Sequence, residues 1–151
     1  MNQEIVFRRA VSEDAEFLMK LNYDFNGVLM DEEEVRKRLT DSKELVVLGT
    51  LDGIPVGFAC AQYFQSFCYR NLMGEITEMY VREKVRRIGL ASLMISFIER
   101  ELSAVGVTSL KYLLGKKTNP RYIPIWQKAI ANRMRLYCIR PSVKEQWNEY
   151  S

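Results

Sequence analysis

"VREKVRRIGLASLM", residues Val81 to Met94, places four basic side chains, Arg82, Lys84, Arg86 and Arg87, within six positions and then turns into an apolar pattern around one glycine. The first turn of a helix leaves backbone N–H groups unpaired at the positive end of its dipole, so it attracts anions. Gly89 has no side chain to hold a ligand away from that backbone. Guanidinium groups, for their part, bind phosphate oxygens in bidentate fashion. The stretch therefore has the makings of a pyrophosphate site. A solvated basic loop between two buried elements would have the same composition, so the flanking segments have to decide.

Working outward, "GEITEMYV" (Gly74 to Val81) predicts a strand leading into the basic turn. "IGLASLMISFIERELSAVG" predicts a helix with an apolar face of Leu90, Leu93, Met94, Phe97, Ile98 and Leu102, closed by Gly106. "TSLKYLLG" then predicts a strand over Ser109–Leu114. Strand, helix, strand in that order is a βαβ crossover, which pairs the two strands in parallel. Upstream, "ELVVLGTLDGIPVGFACAQYF" reads as an antiparallel hairpin, Leu45–Leu51 and Ile54–Phe64, joined at Asp52-Gly53. "IVFRR" (Ile5 to Arg9) alternates as a strand does. Ser12 offers an N-cap for a helix reaching about Asn22, and Asp31 with Glu34 resembles a capping box for a second. Downstream, Pro120 suits the first turn of a helix to about Ala131, and "RLYCIR" (Arg135 to Arg140) reads as a last strand. The class is α+β with a mixed sheet, one domain over residues 1–151.

Composition narrows what such a domain does. The 151 residues are 48% apolar and 27% charged, ordinary values for a globular chain. A net charge of +3 is too slight to require a nucleic-acid partner. No stretch approaches the roughly 18 apolar residues of a membrane span, and the N-terminus lacks a signal-peptide pattern, so a cytoplasmic location is the default expectation. Cys60, Cys68 and Cys138 have no metal-type spacing, and histidine is absent. Chemistry is thereby left to carboxylates, Tyr, Lys, Cys and backbone groups, and no metal is expected.

Arg86-Arg87-Ile88-Gly89-Leu90-Ala91 resembles the pattern (Gln/Arg)-x-x-Gly-x-(Gly/Ala) at the strand-to-helix turn of the GCN5-related N-acetyltransferases, the GNAT superfamily. The order of elements is similar from Ile5 to about Arg140, whereas neither a P-loop GxxxxGK[ST] nor a GxGxxG is present. The resemblance implies a GNAT-like fold, a mixed central sheet of about six to seven strands flanked by about four helices. It also implies acetyl-coenzyme A as acetyl donor. By that resemblance the amides of Arg87, Ile88, Gly89, Leu90, Ala91 and Ser92 cradle the pyrophosphate, with Arg86 lining the turn. Main-chain groups near Met79 and Val81 pair with the pantetheine arm as an added strand would, and Asn119 touches the same arm.

Moving an acetyl group from a thioester to an amine needs a neutral amine. With a pKa near 10.4, fewer than about one amine in a thousand is neutral at pH 7, so a base helps. Glu78 and then Glu75 are the candidates, on the strand beside the expected thioester. Three residues apart in an unbroken strand they face opposite sides, so a bulge decides which reaches the cleft. A backbone N–H near Met79 or Tyr80 can stabilise the oxyanion. Seven residues beyond Asn119, where many members of the superfamily carry a tyrosine acid, stands Trp126, which does not surrender a proton. Tyr122 and Tyr137 are the candidate substitutes, though each reads more readily as a core aromatic.

The acceptor is expected to be a primary amine of a small molecule or peptide; "QYFQSFCYR" (Gln62 to Arg70) and Asp31–Glu34 are the segments that can line its path. The alternative is a non-catalytic acyl-CoA-binding regulatory module of the same fold. Nucleic acid and membrane partners are not expected, and a homodimer through the Arg135–Arg140 edge is open.

Overall fold

The computed structural model describes residues 3–112. They lie within one compact unit, Met1–Lys116. In chain order the elements are β1 (Ile5–Arg9), a 3-10 turn (Ser12–Asp14), α1 (Ala15–Asn26), α2 (Glu32–Asp41), β2 (Leu45–Leu51) and β3 (Ile54–Phe64). There follow β4 (Leu72–Val81), a second 3-10 turn (Glu83–Val85), α3 (Leu90–Ala104) and β5 (Val107–Tyr112). The strands stand in sequence order, β1 to β4 antiparallel and β5 parallel to β4. The expected mixed α+β sheet is therefore present, with five strands and three α-helices among the described residues. The expected helix from Pro120 and the strand Arg135–Arg140 lie outside those residues.

Local chemistry accounts for most boundaries. Asp52 and Gly53 both take positive φ, 51° and 77°, the pair of left-handed residues that a two-residue hairpin turn needs. Asp31 caps α2 by accepting a hydrogen bond from the Glu34 amide at 3.1 Å. Glu32 and Glu34 pair with Arg36 and Arg38 one turn on, so this acidic start serves its own helix. The first helix departs from expectation in two ways. It extends to Asn26, and Ser12 is not its cap, since the Ser12 hydroxyl reaches only Glu13. Asp14 does the structural work there: its carboxylate accepts from the Val11 amide at 2.9 Å and from both Nη atoms of Arg8 at 2.6 and 2.7 Å. A buried carboxylate satisfied by three donors outcompetes an exposed hydroxyl.

The sheet carries helices on both faces. On one, Leu18 and Leu21 of α1 pack with Leu48 and Phe58, flanked by Val35, Leu39, Val46, Cys60 and Tyr80. On the other lies α3, which buries Leu90, Met94, Ile95, Ile98 and Leu102. It lies so close that a Cβ on Gly49 would come within 3.2 Å of Met94 and one on Gly74 within 3.1 Å of Leu102. Each such buried side chain contributes about 1.5–3 kcal/mol, so α3 is held to the sheet by its apolar face. Leu93, expected on that face, is 48% exposed; Ile95 is buried instead. No helix among the described residues is long and apolar enough to cross a membrane.

Candidate active site

At the end of β4 the chain makes the basic turn. The Arg82 amide donates to Val56 O at 2.9 Å, the 3-10 turn follows, and Arg87 and Gly89 take φ of 75° and 86° before α3 begins. The first helical bond runs from the Leu93 amide to Gly89 O, 3.1 Å, so the Leu90, Ala91 and Ser92 amides precede the helical ladder. No side chain caps them, and the first turn contains no acidic residue. A Cβ on Gly89 would have no described atom within 4 Å, so the glycine is required by its left-handed backbone and not by crowding among the described residues. The helix end, with its unpaired amides, stands uncapped by any described residue.

The four basic side chains divide into two pairs. Arg86 turns back: its Nε donates to Val81 O at 2.7 Å, and its guanidinium lies 5.9 Å from the Tyr80 ring centre and 3.5 Å from Glu83. Arg82 faces α1, with Nε 3.3 Å from Asp24 Oδ2. Lys84 and Arg87 are exposed and have no partner among the described residues. The charge available to an anion is thus theirs, and the other two arginines brace the turn.

Thr77 decides where the glutamates point. On β3, Cys60 pairs with Glu78 and the next residue, Ala61, with Ile76, so Thr77 is an extra residue bulged out of β4. Its hydroxyl donates to Cys60 O at 3.3 Å. The bulge shifts the alternation by one. Gly74, Ile76, Met79 and Val81 are buried, whereas Glu75, Glu78 and Tyr80 share the other face. Instead of selecting one glutamate, the bulge presents both. Glu75 accepts a hydrogen bond from Gln62 Nε2 at 3.0 Å. Glu78 is exposed, and its carboxylate, the Glu44 carboxylate and the Cys60 thiol lie within 4.8 Å of one another.

Glu44 is a site residue that sequence reasoning missed, since nothing in the pattern before β2 distinguishes it from a solvated charge. Desolvation, then the nearby Glu78 charge, holds its carboxyl above the ordinary range, with Arg38 opposing. Burial chiefly pushes the Cys60 thiol up, with Glu44 and Glu78 adding to the shift. A metal at this trio would have to displace that thiol proton, and no other three-donor group of this kind occurs among the described residues. Tyr80 was also passed over. Its phenol is raised first by burial and then by Asp24, against Arg86 and Arg82, so it stays a protonated donor at neutral pH.

The backbone of β4 is directional here. With Arg82 N bonded to β3, alternation turns the main-chain groups of Met79 and Val81 toward the opposite edge. On that edge β5 pairs with Leu72 to Ile76, the last partners described being Ile76 and Tyr112. Val81 O is already taken by Arg86. Asn119, Tyr122, Trp126 and Tyr137 lie outside the described residues.

Among the described residues, a bulged strand with outward carboxylates leads into an uncapped helix N-terminus, which defines a class: α+β domains with a helix end able to hold an anionic group. The chain belongs to the acetyltransferase (GNAT) family, whose sequence profile matches residues 12–130. No curated protein matches it. Among solved structures it is similar to a ribosomal-protein-alanine N-acetyltransferase from Brucella melitensis biovar Abortus 2308, at 16% identity and TM-score 0.71, over 86% of this chain and 89% of that one. A possible acetyltransferase from Clostridium difficile 630 is 19% identical with TM-score 0.67, over 87% and 89%. An aminoglycoside acetyltransferase, meta-AAC0020, from an uncultured soil metagenomic sample and in complex with sisomicin, is 16% identical with TM-score 0.67, over 97% and 94%. At these identities the likeness is one of fold.

Proposed function

We propose that the protein is an acetyl-CoA-dependent N-acetyltransferase that transfers directly to a primary amine of a small molecule or peptide in a ternary complex. The observation that carries this reading is the open, acid-free start of α3 behind Gly89, one turn beyond a bulged strand that presents Glu78. When bound, acetyl-CoA supplies an activated acetyl thioester. The amides from Arg87 to Ser92 take the pyrophosphate, with Lys84 and Arg87 adding positive charge. Met79 and the Val81 amide pair with the pantetheine arm along the edge of β4 that faces away from β3. Glu78 accepts the proton of the incoming ammonium, directly or through one water, and Glu75, steadied by Gln62, is the second candidate. Asn119 completes the pantetheine contacts, and Tyr122 or Tyr137 is the donor to the departing thiolate.

Trp126, standing where a tyrosine acid is expected, favours a second reading: a module that binds acyl-CoA without turnover. Calorimetric titration with acetyl-CoA, followed by an amine panel with free-thiol detection, separates the two. Binding with thiol release for some amine supports the transferase, and binding without release for every amine supports the module. Absence of binding overturns both.

A further inference from the structure

Asp24 lies near the C-terminal end of α1, far in sequence from the basic turn, yet its carboxylate Oδ2 is 3.3 Å from Arg82 Nε. That Nε is buried and has no hydrogen bond among the described residues, so Asp24 is the charge that compensates it. The neighbouring residue reinforces the contact. Phe25 packs edge-on against Phe58 with ring centres 5.8 Å apart and tilted against Tyr80 at the same distance. Tyr80 in turn lies under Arg86, whose Nε holds Val81 O. The strands also approach closely here: a Cβ on Gly57 would come within 2.6 Å of Tyr80 O, so they meet at a glycine-only contact.

We infer that Asp24 is a positioning residue for the cofactor turn, fixing through Arg82 the end of β4 from which the turn springs. The inference rests on the proposed acetyl-CoA site, but the bridge itself belongs to the ligand-free chain. The same α1 end leads through an asparagine brace into the connection to α2. Asn22 Nδ2 donates to Val28 O at 3.2 Å, and the Val28 amide donates to Asn26 Oδ1 at 2.9 Å, leaving Leu29 73% exposed. The bridge thus ties this exposed apolar connection to the turn.

Charge and position predict opposite signs, and that makes the inference testable. Asp24 places a negative charge beside an anion site, so as a mere charge its removal strengthens CoA binding. As a positioning group its removal frees Arg82 and loosens the turn. The experiment is calorimetric titration of the whole protein with CoA, together with amide hydrogen exchange of the ligand-free protein. The amides to follow are those of Val85 and Arg86, which donate to Arg82 O at 3.1 Å and Glu83 O at 3.2 Å. Asp24→Asn is expected to bind CoA roughly 3- to 30-fold more weakly and to exchange faster at both amides. Asp24→Glu, which keeps the charge on a longer stem, should restore most of both. Equal or tighter CoA binding by Asp24→Asn overturns the inference, whatever the exchange shows. If the unmutated protein does not bind CoA, the proposed function fails instead, and exchange at Val85 and Arg86 alone decides the bridge.

Discussion

Glu75 and Glu78 project from the same face of β4, although they stand three positions apart, because Thr77 is bulged out of the ladder between them. Their surroundings differ. Gln62 donates to Glu75, whereas Glu78 stands beside Glu44 and is exposed. In its proposed role as base, Glu78 matters most where the acceptor amine is still an ammonium ion. Glu78→Gln should therefore lower the acetylation rate by about 10²- to 10⁴-fold below the amine's own pKa and much less above it. Glu75→Gln should cost less at every pH. An unaltered pH–rate profile for Glu78→Gln removes it from the base role.

Gly89 has a left-handed backbone, and no described atom lies within 4 Å of where its Cβ would stand. A Cβ at this position meets no described atom within 4 Å, so in Gly89→Glu the fold should survive with a backbone strain of about 1–2 kcal/mol. The new carboxylate would stand at the amides of the first turn and repel a pyrophosphate. Acetyl-CoA binding should vanish in calorimetry while circular dichroism remains that of the parent. Unchanged affinity would refute the assignment of the turn.

Much of the fold was legible because local chemistry and tertiary demand agree. The hairpin carries its own turn residues, Asp52 and Gly53, at positive φ, and its strands begin and end where alternation and turn signals place them. The basic turn and the helix start behind Gly89 were legible for a similar reason: they are contiguous in sequence, and a helix end needs no distant partner. What was not legible depends on contacts between segments. Ser12 looked like a cap because an N-cap is a local motif, but Arg8 and Val11 recruit Asp14. The bulge at Thr77 is a matter of register between β3 and β4, which no spacing within β4 reveals. Glu44 joins Glu78 only through the folded sheet, and the commitment of Arg82 to Asp24 joins segments with no pattern in common.

Arg87 is a non-glycine residue at φ 75°, with its side chain exposed and without a partner among the described residues. A left-handed conformation costs such a residue about 1–2 kcal/mol, which glycine does not incur. Arg87→Gly should relieve that strain, offset in part by glycine's greater freedom in the unfolded chain, and leave stability equal to or up to about 1 kcal/mol above the parent. It also removes one of the two uncommitted cations at the turn. CoA binding should weaken, and its dependence on salt should become shallower, as calorimetry at two ionic strengths would read. A variant that loses stability and keeps its affinity contradicts both parts.

Asp14 is 4% exposed, and its carboxylate holds Arg8 through two hydrogen bonds and the Val11 amide through a third. The Arg8 guanidinium first, then the Val11 amide, keeps its pKa below the ordinary carboxylate value, against the opposing effect of burial. A folded pKa below the unfolded one means that the stabilisation is fully present above the unfolded value, about 3.9, and is lost as pH falls through the folded value. Asp14→Asn has no charge to lose and leaves Arg8 with a weaker acceptor. Because Arg8 is 46% exposed and water can take over part of its hydrogen bonding, the cost at pH 7 should lie at about 1–3 kcal/mol. On acidification below the ordinary carboxylate range the parent protonates Asp14 and its advantage shrinks, so the two thermal midpoints should converge toward pH 2. A gap of constant size from pH 7 to pH 2 would show that Asp14 acts through shape and not through its charge.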